Sequence, residues 1–133
     1  MREQRKGSDM LDETTKEHLV QALRRAHEER DVELALSLYA EHAEIRVVDH
    51  ANPPNAPNVF RGKAQIAHYL ARLYGQGMTH HVGSALQDVV SGEGRVSFNV
   101  ASKSKDGIRK RVAAHSYEVR KGEIVYQTNV EAS

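Results

Sequence analysis

Moving protons near neutral pH takes imidazoles and carboxylates, and this chain of 133 residues has eight histidines and 18 aspartates and glutamates to draw on. Asp49 and His115 stand out, because each falls on an alternating stretch in register with smaller or apolar neighbours: Ala43, Ile45 and Val47 before Asp49, and Ala113, Tyr117 and Val119 around His115. A carboxylate beside an imidazole orients the ring, stabilises its charged form and supplies an acid/base couple near neutral pH. Such a couple suits proton transfer alpha to a carbonyl. A plainer reading stands beside it: Asp49 borders a proline-rich loop and suits the amides of a turn, and His115 suits a hydrogen-bonded place in a core.

Other side chains fit the wall of a site. Tyr39, Phe60, Tyr69 and Phe98 read as core or cavity wall, excluding water from a bound apolar group, and Tyr117 either offers its phenol to a ligand or packs in a sheet. The adjacent His80 and His81 point to opposite faces of a strand, so both cannot enter one metal shell; at most one lines a pocket, and no metal site is expected. His18, His27, His42, His50 and His68 are scattered over helices and loop edges and read as solvated or capping. Lys103, Lys105, Arg109, Lys110 and Arg111 gather at one hairpin tip, where they either attract an anion, a membrane surface or nucleic acid, or form a solvated turn. No aromatic stacking platform accompanies them, which favours the solvated turn. Cysteine is absent, which excludes disulfides, thiolate nucleophiles and Cys-ligated metal centres.

The elements that must position these residues follow from period and punctuation. Residues 1–11 carry no apolar periodicity and read as a disordered tail or an added remnant, leaving residues 12–133 as one domain. Thr14 and Glu17 form a capping box ahead of Leu19, Leu23 and Ala26, predicting a helix over about 14–29. Asp31 caps a second helix on which Val32, Ala35, Leu36, Tyr39 and Ala40 recur at helical spacing. From Ala43 the period becomes two, a half-buried strand ending in Asp49. All three prolines fall in the loop between His50 and Asn58; Val59–Phe60 is a short strand, and a third helix runs from Gly62 to Gly75. Four strands follow, at about 79–90, 95–103, 109–120 and 123–131, joined by glycine-containing turns and pairing as an antiparallel meander. The layout is α+β, with helices gathered on one face of a curved sheet.

That order, with Asp31 to Ala43 (DVELALSLYAEHA) running into a strand and Phe60 to Ile66 (FRGKAQI) opening a helix, resembles the nuclear transport factor 2-like superfamily. Its SnoaL-like and ketosteroid isomerase-like branches are most similar, over about residues 12–131. The resemblance implies a cone-shaped, cystatin-like curved antiparallel sheet with three helices on its concave side. The superfamily includes isomerases, dehydratases, cyclases, epoxide hydrolases and non-catalytic binding modules, so fold does not select an activity. Carried over residue by residue, the isomerase branch's catalytic aspartate falls on Val47 and its tyrosine oxyanion donor on Leu23, neither of which exchanges a proton. Its protonated aspartate falls near His115. Asp49, two residues beyond Val47 on the same strand face, is displaced by about 7 Å. In the final strand, Ile124, Tyr126 and Val130 share one register, whereas the resemblance points Val125, Gln127 and Asn129 inward. Both hold if a dimer partner covers the outer face; Gln127 and Asn129 are then neutral ligand donors, and otherwise ordinary solvent-facing residues.

The residues and the resemblance together lead to an expected small-molecule pocket protein. It is either a cofactor-independent proton-transfer catalyst on an apolar carbonyl compound, using His115 and Asp49, or a non-catalytic binding or dimerisation module. A small apolar molecule and a homodimer through the sheet are the expected partners. With 19 Lys and Arg against 18 Asp and Glu, nucleic acid is not expected. No run of about 18 apolar residues suggests a membrane span, and a cytoplasmic location is the default.

Overall fold

The computed structural model describes residues 19–132. The expected tail, the capping box of Thr14 and Glu17, and His18 lie outside the described residues. Helix α1 occupies 19–29, with Leu19, Leu23, Ala26 and also His27 buried. Arg30, at φ 57°, turns the chain, and Asp31 caps α2 (Val32–Ser37) by accepting the Leu34 N–H at 3.0 Å. The helical spacing does not persist to Ala40: α2 stops at Ser37 and β1 (Tyr39–Val48) begins at once. Sheet pairing is the reason. The Ile124 N–H donates to the Leu38 carbonyl at 2.9 Å, so the sheet takes a backbone group that another helical turn would need.

Beyond the proline loop come β2 (Asn58–Arg61) and α3 (Gly62–Tyr74), followed by β3 (Met78–Val82), β4 (Leu86–Gln87), β5 (Gly94–Ser104), β6 (Lys110–Arg120) and β7 (Glu123–Glu131). The sheet runs β2-β1-β7-β6-β5-β3, with β4 also paired to β5. The expected meander is present, since β3 with β5, β5 with β6 and β6 with β7 are all antiparallel. The strand expected over 79–90 is two: three residues lie between Val82 and Leu86, but only two lie between their partners Val100 and Ser97, so a bulge divides them. One pair is parallel, β1 with β7, which brings the start of the fold against its end.

The core lies between the helices and the inward face of the curved sheet. Ile66, Leu70 and Tyr74 of α3 and Leu23 and Ala26 of α1 bury against Val82, Val96, Phe98, Val100, Tyr117, Val119 and Ile124. A second bulge resolves the conflict in the last strand: Val119 pairs with Ile124 but Glu118 pairs with Tyr126, leaving Val125 as the extra residue. Ile124 is therefore inward, and so are Gln127 and Asn129, while Tyr126 is half-buried and Val130 is exposed. Val125 does not continue the inward row with Gln127 and Asn129, as the resemblance had implied.

Candidate functional site

Where α3 and the sheet diverge, inward polar side chains surround a cavity of about 140 Å³. Its inner wall carries His27 of α1, His80 of β3, Ser102 of β5, His115 of β6 and Asn129 of β7, all buried. Val47, Leu73, Val100 and Ala113 supply apolar surface, and Asp49, Arg72, Gln76, Arg111 and Glu131 form a more exposed rim. The space is below the roughly 300–1,000 Å³ of common ligand pockets. It matches one ring, since an apolar cavity of roughly 150 Å³ accepts benzene.

Two chains of hydrogen bonds end at this cavity. In the first, Tyr39 Oη donates to Gln127 Oε1, Gln127 Nε2 donates to Asn129 Oδ1 at 2.7 Å, and Asn129 Nδ2 donates to Tyr69 Oη at 2.7 Å. The deep end sets the direction. Tyr39 is 1% exposed and has no other hydrogen-bond partner among the described residues, so its proton must go to Gln127, and every later bond follows. Tyr69 therefore accepts from Asn129 and keeps its own proton for the cavity. Burial pushes the Tyr69 phenol above its ordinary range, against the lowering effects of Asn129, Arg111 and Arg72, so it stays a donor rather than a phenolate.

The second chain links Tyr74 Oη to His27 Nδ1 at 2.9 Å, His27 Nε2 to Tyr117 Oη at 3.1 Å, and Tyr117 Oη to His115 Nδ1 at 3.0 Å. Buried Tyr74 has no other hydrogen-bond partner among the described residues, so it donates to His27, which donates to Tyr117, which donates to His115. His115 then carries its proton on Nε2, which has no protein partner among the described residues, and its ring lines the cavity. Burial, with His80 nearby, holds His27 down at about 3, and burial with His27, His80 and Arg111 holds His115 well below the ordinary imidazole range. Both rings are neutral near pH 7. The expectation of a carboxylate-stabilised, charged His115 is corrected: its partner is Tyr117, and Phe98 stacks on it with centroids 5.9 Å apart.

Asp49 lines the same cavity but lies in a bend past the end of β1. Its Oδ1 accepts from Asn52 Nδ2 and N at 2.9 Å each and from Ala51 N at 3.0 Å. The Asn52 amide, then those backbone N–H groups, hold the carboxyl below its usual range. Turn binding and cavity lining thus coexist, with no hydrogen bond between Asp49 and His115. Tyr69 and Asn129 also reach the cavity, whereas Tyr39, Phe98, Tyr117 and Gln127 stand behind its wall and Phe60 packs on Tyr69 at 4.8 Å.

Of the adjacent pair, His80 faces inward, its Nδ1 2.7 Å from Ser102 Oγ, while His81 is exposed beside Glu28 at 3.4 Å. His27 and Arg111 were placed on the surface by sequence and in fact line the cavity. His27 follows Leu19, Leu23 and Ala26 on the apolar stripe of α1, a signal that was available. Arg111 shares the inward register of Ala113 and His115.

No known family model matches the chain, and no curated protein does. Solved structures do. An NTF2-like protein of unknown function from Mesorhizobium loti superposes with a TM-score of 0.72 at 16% identity, covering 92% of this chain and 94% of that one. A protein of unknown function with a cystatin-like fold from Nostoc punctiforme gives 0.67 at 15% identity, covering 92% of each. The epoxide hydrolase/cyclase-like enzyme SalBIII, with a role in pyran ring formation in the polyether salinomycin, gives 0.69 at 19% identity, covering 91% of this chain and 93% of that one. Agreement over nine-tenths of the chain, on a curved sheet with three helices, identifies the fold as nuclear transport factor 2-like, or cystatin-like.

Proposed function

We propose that the cavity binds a ring-sized carbonyl compound and catalyses proton transfer alpha to the carbonyl without a cofactor. One observation carries this reading: two separate hydrogen-bond chains end as a Tyr69 O–H and a His115 N–H, neither donated to another of the described residues, around a space that Asp49 also lines. Donors preorganised by buried networks stabilise an oxyanion without reorienting when charge develops. In this mechanism Tyr69 and His115 donate to the carbonyl oxygen, and Asp49 Oδ2, which has no partner among the described residues, takes the alpha proton. The electron pair of the broken C–H bond forms the enolate, and the proton returns to carbon as the carbonyl reforms. The cyclase-like role of SalBIII is compatible with catalysis on this fold but names no substrate here.

The test is exchange of the alpha protons of 3-cyclohexen-1-one in D₂O, followed by NMR. Exchange above buffer is expected, falling about 100-fold in Asp49→Asn, which keeps an acceptor for the turn, and about tenfold in Tyr69→Phe. Wild-type exchange no faster than buffer would sink the mechanism. A second reading, binding without turnover, is favoured by the low proton affinity of Asp49 and His115. It expects the same ketone to raise the melting temperature of wild type and Asp49→Asn alike, with no exchange. The proposal includes a homodimer formed through the outer sheet face.

A further inference from the structure

We propose that the ligand of this cavity is an acid: a single ring seated inside, with its carboxylate held at the rim by the guanidinium groups of Arg111 and Arg72. The inference rests on the cavity being a small-molecule site and adds the class of molecule it selects.

Arg111, on β6, is half-buried, yet its side chain's polar contact among the described residues is a loose 3.5 Å approach to Gln76 Oε1. Arg72, on the last turn of α3, lines the same cavity, and neither arginine forms an ion pair among the described residues. A guanidinium drawn partly out of water is ordinarily paired, because its five N–H donors and its charge lose hydration that something must replace. The two rim carboxylates do not replace it. Asp49 has one oxygen committed to three turn donors, and the Glu131 carboxylate lies 3.9 Å from His50.

The charge of Arg111 also reaches inward. It acts on His80 and His115, lowering both, and on the Tyr69 phenol. A planar carboxylate fits this vacancy in three respects. It matches the arginine fork in a bidentate pair, it neutralises the charge felt by the inner wall, and it leaves the attached ring room in a space that accepts little more than one ring. His80 adds a polar contact deeper in. Its Nε2 is buried without a hydrogen-bond partner among the described residues, and its Nδ1 lies 2.7 Å from Ser102 Oγ.

Benzoate and its neutral isostere benzamide are the probes, titrated calorimetrically into the full chain. Benzoate is expected to bind about ten- to 100-fold tighter than benzamide. Arg111→Gln erases that preference, Arg111→Lys restores only part of it, because an ammonium lacks the fork, and Arg72→Gln reduces it. Arg109→Gln, at the neighbouring hairpin tip, leaves it unchanged. Circular dichroism checks that each variant folds, and exposed Arg72 serves as the second variant should Arg111→Gln fail that check. Equal affinity for the two probes, a preference that survives both substitutions, loss of preference in Arg109→Gln, or no benzoate binding at millimolar concentration each overturns the inference. Ketone exchange in wild type is read separately: exchange without benzoate preference rejects the acid and keeps the catalyst, and benzoate preference without exchange does the reverse.

Discussion

Gln127 decides more at this site than any residue that touches the cavity directly. It is 1% exposed and holds Tyr39 on one side and Asn129 on the other, so it transmits the direction of the buried phenol to the cavity edge. Gln127→Leu leaves both neighbours short of a partner. At about 1–3 kcal/mol for each orphaned group, a loss of roughly 2–6 kcal/mol is expected in urea denaturation, against roughly 1–3 kcal/mol for Tyr39→Phe, which orphans only the Gln127 carbonyl oxygen. His27 makes a pH prediction. Its value is 6.5 unperturbed and about 3 in the fold, so between those limits the unfolded chain binds the extra proton and stability falls as pH drops. From pH 7 to pH 5 this amounts to about 2 kcal/mol. His80 and His115 act in the same direction. Melting curves at the two pH values are expected to differ less for His27→Gln than for wild type; an unchanged difference would remove His27 from the account. The inward position of His115 and Tyr117 is legible from their shared strand register, but the direction of the hydrogen bond between them is not, because it is set by His27, which arrives from a different element.

Single residues added to or withheld from strands aim these side chains. Simple alternation cannot place Ile124, Gln127 and Asn129 on one face; the extra Val125 does, by resetting the pleat. Bulges depend on the partner strand, so the last strand's own pattern gives one register and the resemblance implies another. The second irregular corner is guarded by Gly94, at φ 148°, where an added Cβ would lie 2.6 Å from the Asp88 carbonyl and 2.8 Å from Val89 Cα. Backbone cannot yield there without separating Asp88 from Arg95, which hydrogen-bond in both directions. Gly94→Ala is expected to cost about 2 kcal/mol or more, lowering the melting temperature by roughly 5–10 °C, while ligand binding at the distant cavity persists. Loss of binding at a temperature where the variant is folded would show that this corner shapes the cavity. The early end of α2 belongs to the same scale: its spacing was helical, and the sheet overrode it.

Taken whole, the molecule presents one sheet face to its helices and the other outward, where Val112 and Val130 are 44% and 43% exposed beside Ala114. If that face joins two copies, light scattering gives a dimer at tens of micromolar, and Val130→Lys gives a monomer; a monomeric wild type would discard the dimer. Among the described residues, no helix is long and apolar enough to cross a membrane. Period and turn residues in the chain were enough to order the helices and strands, to pair the meander and to turn His115 inward, since these depend on contacts between neighbours in sequence or across tight turns. Composition alone excludes cysteine chemistry, since the chain has no cysteine. What gathers His27, His80, Arg72, Arg111 and Tyr69 around one space is the packing of α1 and α3 over a curved sheet that the parallel β1–β7 pair joins, bringing together residues as far apart as Tyr39 and Gln127. Partners separated by that much chain leave no local pattern, and a hydrogen bond's direction depends on what lies at its buried end; only the folded molecule decides both.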